Sequence, residues 1–412
     1  MKQIKIVQVG IGGYGATYTG YYKDALARGD DSFKLEGIVD PYAAKGADYA
    51  WAVEQGLPIY NTLEEFYAEH AADLATIATP IQLHREQCVT AMRHGSNVLV
   101  EKPLCPTIQD AEILQRTCNE TGKFLAVGFQ WSFSKPILDL KRDILAGRFG
   151  KPVGMRGFVS WQRYLSYYNH TWKGRYRDGQ GRWILDSVIT NATAHYLHNL
   201  FFIAGTGLDE AAMPTRVLAE SYKVKPDMLT PDVFVLRGEL PGDVPFWFAS
   251  SYSLAGDTVT TFEFRYEHAV VRFNIDENDD TVRAQLNDGS EIVYGNPQSS
   301  DERSRKIRTC IAAADDPSVQ LTCTIKTILP HLNTCNGMFD LIPPQPVDAR
   351  YLVEQHDTNA NDTGIFAKTL RDGLLMAYGE GKLPSELGYS WSKPAVVFNP
   401  GTITEYQGTY AV

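Results

Sequence analysis

Val9-Gly10-Ile11-Gly12-Gly13-Tyr14-Gly15 decides the fold of the amino-terminal part of this chain. It sets a G-x-G-x-x-G pattern directly after an apolar run, Ile4 to Val9, and at the start of a helical stretch. Glycine there permits a tight turn and lets backbone N–H groups approach a pyrophosphate held at the positive end of the helix dipole. Alone the pattern is weak, because glycine-rich turns after strands are common. Its context strengthens it: the next strand ends in Val39-Asp40, about 25 residues on, where a carboxylate can accept both ribose hydroxyls. Gly10, Gly12, Gly13, Tyr14, Gly15 and Asp40 are therefore the expected dinucleotide contacts. A carboxylate at position 40 repels a 2′-phosphate and no arginine follows to attract one, so NAD is favoured over NADP. The competing reading is that the glycines only pack helix against strand and that Asp40 caps a turn before Pro41.

Outward from this loop, short apolar runs at Leu35 to Val39, Leu74 to Ala78, Asn97 to Val100 and Phe124 to Val127 alternate with helical stretches such as Gln82 to His94 and Ile108 to Thr121. That rhythm predicts an α/β Rossmann domain over residues 1–130, a doubly wound parallel sheet covered by helices. After Phe129 it changes. A helical stretch, Pro136 to Ala146, leads into alternating, aromatic and β-branched segments: Val153 to Ser160, Val217 to Lys223, Val233 to Leu240, Phe246 to Ser251, Thr258 to Tyr266, Val270 to Ile275 and Val282 to Leu286. These predict an α+β domain over 131–412 with a large, mostly antiparallel, open-faced sheet. Helices are expected at Ile189 to Ile203 and, with Phe366, Leu370, Leu374 and Leu375 on one face, at Thr363 to Tyr378.

The formal charge of −10, from 39 basic and 49 acidic residues, argues against nucleic acid or an anionic membrane as partner. A small ligand is expected instead. The six cysteines form no C-x-x-C pair, so no metal site is expected and the thiols read as reduced. No leader is recognisable before Ile4, and no segment approaches the roughly 20 apolar residues of a membrane helix, so the expected location is cytoplasmic. An uncovered sheet face predicts a homo-oligomer, dimer or tetramer.

A second cluster lies at the carboxyl ends of strands four and five, where open α/β sheets bind ligands. It comprises Ala78-Thr79-Pro80, with His84 one turn into the next helix, and Glu101-Lys102-Pro103. An ammonium there could hold a substrate hydroxyl and ease its deprotonation. With the glycine loop, Asp40, Ala78-Thr79-Pro80, Glu101-Lys102-Pro103 and Val127-Gly128-Phe129-Gln130, the sequence resembles the Gfo/Idh/MocA oxidoreductases, the family of glucose-fructose oxidoreductase and inositol dehydrogenase. The resemblance implies that Lys102 contacts the reacting hydroxyl and that Glu101 lies near the nicotinamide. Thr79 and Pro80 would then lie near the nicotinamide ribose, with His84 close by and Gln130 beside the ring.

The family carries D-x-x-x-H on a helix of the active site. Counting back from Gly205 places His195 at the histidine and Asn191 at the aspartate, a departure; Asp186 is the other candidate for the carboxylate, but no histidine follows it at the right distance. On a helix, Asn191 and His195 share a face. The resemblance assigns His195 as proton acceptor or polariser, with Lys102 assisting and Asn191 positioning. Before that helix, Trp161 to Trp183 is dense in aromatic and basic residues, among them His170, and Trp172 and Arg175 are the expected sugar contacts. The expected function is NAD-dependent oxidation or reduction at a secondary alcohol of a sugar, inositol or glycoside. The alternatives are an NAD-using glycosidase acting by transient oxidation and elimination, and a catalytically idle NAD-binding protein, for which Asn191 argues.

Overall fold

The structure, a computed structural model, describes residues 2–169, 172–274 and 279–411; His170 and Ile275 of the sequence reading lie outside them. The chain divides into two units, Met1–Ser134 with Ser299–Ile328, and Lys135–Gln298 with Leu329–Val412. A single cut near residue 130 thus misses a segment, 299–328, that returns to the first unit after the second has begun.

The first unit is built on six strands: β1 (Ile4–Val9), β2 (Phe33–Val39), β3 (Ile59–Tyr60), β4 (Leu74–Ile77), β5 (Asn97–Val100) and β6 (Leu125–Val127). All pair in parallel in the order β3-β2-β1-β4-β5-β6. Only Lys5 of β1 is exposed, which is why this strand reads as an apolar run rather than an alternation. The connecting helices are α1 (Gly15–Ala27), α2 (Tyr49–Glu54), α3 (Leu63–Glu69), α4 (Ile81–Arg93) and α5 (Ile108–Thr121). Side-chain caps at Thr62 and Thr107 start α3 and α5, and Gly122, at φ 66°, ends α5. The strand order reverses at β1, and the crevice at the carboxyl ends of β1 and β4 is where such sheets take a ligand.

The second unit runs through α6 (Lys135–Leu145), β7 (Pro152–Ser160), α7 (Ala194–Ile203), β8 (Arg216–Lys223), β9 (Val233–Leu240), β10 (Val244–Ser251), β11 (Val259–Tyr266), β12 (Ala269–Asn274), β13 (Asp279–Leu286) and β14 (Glu291–Gly295). Then follow α8 (Ser300–Asp315), which belongs to the first unit, α9 (Ile325–Leu341), β15 (Gln345–Pro346), β16 (Leu352–Asp357), β17 (Asp362–Ala367), α10 (Leu370–Glu380) and β18 (Val396–Phe398). The large sheet has the order β14-β13-β12-β11-β7-β10-β9-β8-β15, with β18 also on β8. It is antiparallel except at β10–β7 and β15–β8, as the alternating segments predict.

Three expectations need correction. The open face survives on β12, where burial alternates, but β9 and β10 are buried on both sides. Val233, Val235 and Trp247 pack with Leu370 and Leu374 of α10, while Phe234, pointing the other way, meets Phe339 of α9 at 5.8 Å. The bare sheet face that a second copy would cover is therefore narrower than expected. Second, the helix expected from Thr363 begins at Leu370, because Thr363 to Ala367 belong to β17, with Phe366 opposite Val353. Third, α7 begins at Ala194 rather than at Ile189. The Thr190 and Thr193 hydroxyls donate to the carbonyls of Leu185 (2.7 Å) and Val188 (2.6 Å), so a turn replaces the first part of the helix. Among the described residues no helix is long and apolar enough to cross a membrane.

Candidate active site

The glycine loop is tight where the chain crosses itself and open where a ligand would lie. A Cβ at Gly10, where φ is +87°, would stand 2.7 Å from the Ala78 carbonyl oxygen, and one at Gly15 would collide with the Gly10 carbonyl. At Gly12 and Gly13 it would meet nothing within 4 Å. Beneath the loop the buried Gln8 amide places Nε2 3.0 Å from the carbonyls of both Gly10 and Gly15. Asp40 closes the side: Oδ2 accepts the Ile11 N–H at 3.0 Å and Oδ1 the Tyr42 N–H at 2.8 Å. It therefore caps its turn and also faces the loop. Open space at the amino end of α1 and a flanking carboxylate fit a dinucleotide.

At the end of β5, Glu101 is buried and its Oε1 accepts the Tyr18 hydroxyl at 2.7 Å. The same oxygen is ion-paired with Lys306 of α8, which is itself 1% exposed. Burial opposes the ammonium of Lys306, but Glu101 and Tyr14 outweigh it and hold its pKa above the ordinary lysine value. Its Nζ lies 4.9 Å from the Tyr14 ring centroid and 5.1 Å from that of Tyr18. Tyr14 in turn donates to Gln130 Oε1 at 2.9 Å. Three expected residues, Tyr14, Glu101 and Gln130, are thus joined through one lysine that the sequence reading missed. Lys306 stands among Arg303, Arg305 and Arg308, and nothing local sets it apart except its place beside the apolar positions Ile307, Cys310 and Ile311. Lys102, next to Glu101, is half-buried, with its N–H 3.2 Å from Glu101 Oε2.

His84 is not at the ligand face. Its ring is 1% exposed, Nε2 lies 2.8 Å from the Thr79 carbonyl, and Nδ1 lies 3.0 Å from that of Pro103. Burial holds its pKa below the usual histidine value against those carbonyls. As a direct cofactor contact His84 is corrected to a strut between the two loops that end β4 and β5. Thr79 is half-buried and donates to Gln87 Oε1 at 2.5 Å, and Pro80 is exposed at the start of α4.

In the second unit, Asn191 lies in the turn before α7 and His195 is the second residue of that helix, half-buried. Asn191 Nδ2 donates to Asp186 Oδ1 at 2.7 Å, so the two sequence candidates for the missing carboxylate touch. Asp186 Oδ2 accepts the Gly174 N–H, also at 2.7 Å, tying the aromatic segment to this turn. Tyr252 Oη accepts the Ala192 N–H at 3.1 Å and lies 3.4 Å from Tyr167 Oη. The guanidinium of this cluster is Arg163, 5.0 Å from the Tyr167 ring and 5.5 Å from that of Tyr252. Arg175, expected as a sugar contact, has an exposed side chain, and its carbonyl accepts the Asp186 N–H at 3.1 Å. Trp172 is half-buried, with Lys173 Nζ 5.4 Å from its ring. His198 is buried against the Phe202 ring at 6.0 Å, and burial pushes its pKa well down, a packing role.

A doubly wound sheet with an open glycine loop, followed by a unit with a large mixed sheet, defines a dinucleotide-binding protein of two-unit architecture. The chain matches, over residues 4–129 and so over less than half of its length, the family described as "Oxidoreductase family, NAD-binding Rossmann fold". It is similar to scyllo-inositol 2-dehydrogenase (NAD(+)) of Bacillus subtilis (strain 168), 29% identical over 158 residues, which are 38% of this chain and 44% of that one. It is also similar to 2,7-anhydro-N-acetylneuraminate hydratase of Mediterraneibacter gnavus, 29% identical over 34% of this chain and 37% of that one. The chain thus spans less than half the length of these relatives. In fold it is similar to the WlbA dehydrogenase from Bordetella pertussis, solved with NADH and UDP-GlcNAcA. That likeness has a TM-score of 0.65 and 20% identity over 81% of this chain and 94% of that one.

Proposed function

We propose that this chain binds NAD in preference to NADP and transfers a hydride to or from a carbon bearing a secondary hydroxyl in a sugar, inositol or glycoside. The observation that carries the reading is an open glycine loop and an ammonium, Lys102, at the carboxyl ends of strands of the same sheet. When bound, the nicotinamide supplies the hydride acceptor or donor. Lys102 holds the substrate hydroxyl and favours its deprotonation, His195 takes the proton, and Asn191 orients the alcohol. The ion pair of Lys306 with Glu101 fixes the backbone from which Lys102 extends. Asp40 accepts the adenosine ribose hydroxyls and repels a 2′-phosphate.

The purified protein mixed with NAD and a panel of sugars, inositols and glycosides should reduce the cofactor, followed by absorbance. His195→Ala and Lys102→Met should each lose about 100-fold or more in turnover while binding NAD normally. Calorimetry showing no affinity for NAD or NADH would end the reading. A redox-neutral variant, in which the carbon is oxidised and then reduced again around an elimination, is favoured by the similarity to a protein named as a hydratase. Product release without net NADH would select it.

A further inference from the structure

We propose that Arg163 is an anion-binding residue of the second unit, so that the sugar or polyol this chain acts on carries a carboxylate or a phosphate. The inference rests on the reaction at an alcohol proposed above and names its substrate class. The backbone fixes where the guanidinium stands. Strands β7 and β10 run in parallel and end side by side, with Ser160 opposite Ser251. Their pairing continues past those ends: the Trp161 N–H donates to the Ser251 carbonyl at 2.9 Å and the Arg163 N–H to the Tyr252 carbonyl at 3.1 Å. Arg163 is thereby set beside Tyr252, whose hydroxyl accepts the Ala192 N–H at 3.1 Å in the turn that carries Asn191.

A guanidinium keeps its charge and has five N–H donors to satisfy. Around Arg163 the protein answers only part of that demand. Its Cζ lies 5.8 Å from the Trp161 ring, 5.0 Å from that of Tyr167 and 5.5 Å from that of Tyr252. Ring faces favour a cation but supply no anion. Nη1 donates to the Gln162 carbonyl at 3.1 Å, whereas Nε is buried and no protein group accepts from it. Among the described residues no carboxylate lies within ion-pair distance of Arg163. Tyr168 repeats the pattern: its hydroxyl is buried without a protein partner, and burial raises its pKa while the Arg163 charge works against that rise. Buried donors without acceptors are costly and uncommon. Arg163 is only half-buried, so a ligand can approach it. A neutral hydroxyl would accept a hydrogen bond there and leave the charge unbalanced, whereas an anionic oxygen meets both needs. In a chain of formal charge −10, an acidic ligand also requires such a local cation.

Matched ligands on the full-length protein test this: D-glucose against D-glucuronate and glucose 6-phosphate, D-galactose against D-galacturonate, and myo-inositol against an inositol monophosphate. Calorimetry in the presence of NADH should show at least one acidic member binding about 10- to 100-fold more tightly than its neutral parent. Whether that member is a uronate or a phosphate identifies the anion. Arg163→Gln should bring the acidic ligand down to its parent's affinity and leave the parent's unchanged. Arg163→Lys, which keeps the charge, should retain part of the preference, and added salt should shrink it. A merely structural arginine would weaken acidic and neutral ligands alike. The proposal is overturned if no acidic member binds better than its parent, or if a folded Arg163→Gln protein keeps the preference. If an acidic ligand binds through Arg163 while nothing in the panel exchanges hydride with the cofactor, the dehydrogenase reading falls and the anion site stands.

Discussion

Lys306 and Glu101, 205 residues apart in sequence, form a buried ion pair at the end of β5. Taking two charges out of water is costly, and removing one partner strands the other, a loss of about 3–5 kcal/mol. Lys306→Met should therefore lower the urea midpoint strongly and weaken NAD binding. The double variant Glu101→Gln/Lys306→Met, with no stranded charge, should recover most of the stability but not the function. Equal instability of the two variants would assign the effect to packing.

The glycines of the loop should separate by phenotype. Gly10→Ala puts a Cβ 2.7 Å from a backbone oxygen at φ +87°, so destabilisation of at least about 1–3 kcal/mol is expected. Gly12→Ala meets no protein atom within 4 Å and should melt like the wild type while binding NAD poorly. Thermal melts with and without NAD read both effects.

Asp40→Asn keeps an oxygen for the Ile11 N–H and removes the charge. A hydrogen bond to a charged group contributes about 1.5–3 kcal/mol, and the neutral version about half of that. NAD should bind about ten-fold more weakly, and the preference over NADP should shrink or reverse, as fluorescence titration with both cofactors would show. An unchanged ratio would remove Asp40 from cofactor selection.

Lys225 predicts a pH effect in the second unit. It is 3% exposed, donates to the Ile365 carbonyl at 2.9 Å, and burial lowers its pKa to about 8, with Asp232 opposing. Below that value both folded and unfolded chains carry the proton and the penalty of burying the charge is present in full. Between it and the unfolded value of about 10.4, the unfolded chain holds a proton that the folded one has released, so stability rises with pH. The urea midpoint should climb from pH 8 to about pH 9.5, before exposed tyrosines ionise, and the climb should be missing in Lys225→Met.

The Rossmann half was legible because its signals are local: an apolar run, a glycine turn and a carboxylate at the end of the next strand lie within residues 4–40. The strands of the second sheet were legible for the same reason, since the aromatic and β-branched runs in Val233 to Leu240 or Phe246 to Ser251 need no partner to be seen. What escaped depends on distance in sequence. Lys306 is one basic residue among several until α8 is set beside β5, and Gln8 is an ordinary polar residue of a strand until two glycine carbonyls close over it. Asn191 and Asp186 were both singled out as rivals for one role, and the turn made by Thr190 and Thr193 brings them together instead.

The return of residues 299–328 to the first unit governs the order in which the chain can mature. The strand β6 waits for Cys323, whose carbonyl takes the Val127 N–H at 3.0 Å, and the carboxylate of Glu101 waits for its lysine. As the chain leaves the ribosome, its amino-terminal portion stays an unfinished nucleotide fold until most of the second sheet has been synthesised. A fragment ending near residue 134 should behave as a loosened intermediate, prone to chaperone capture and slow to acquire NAD.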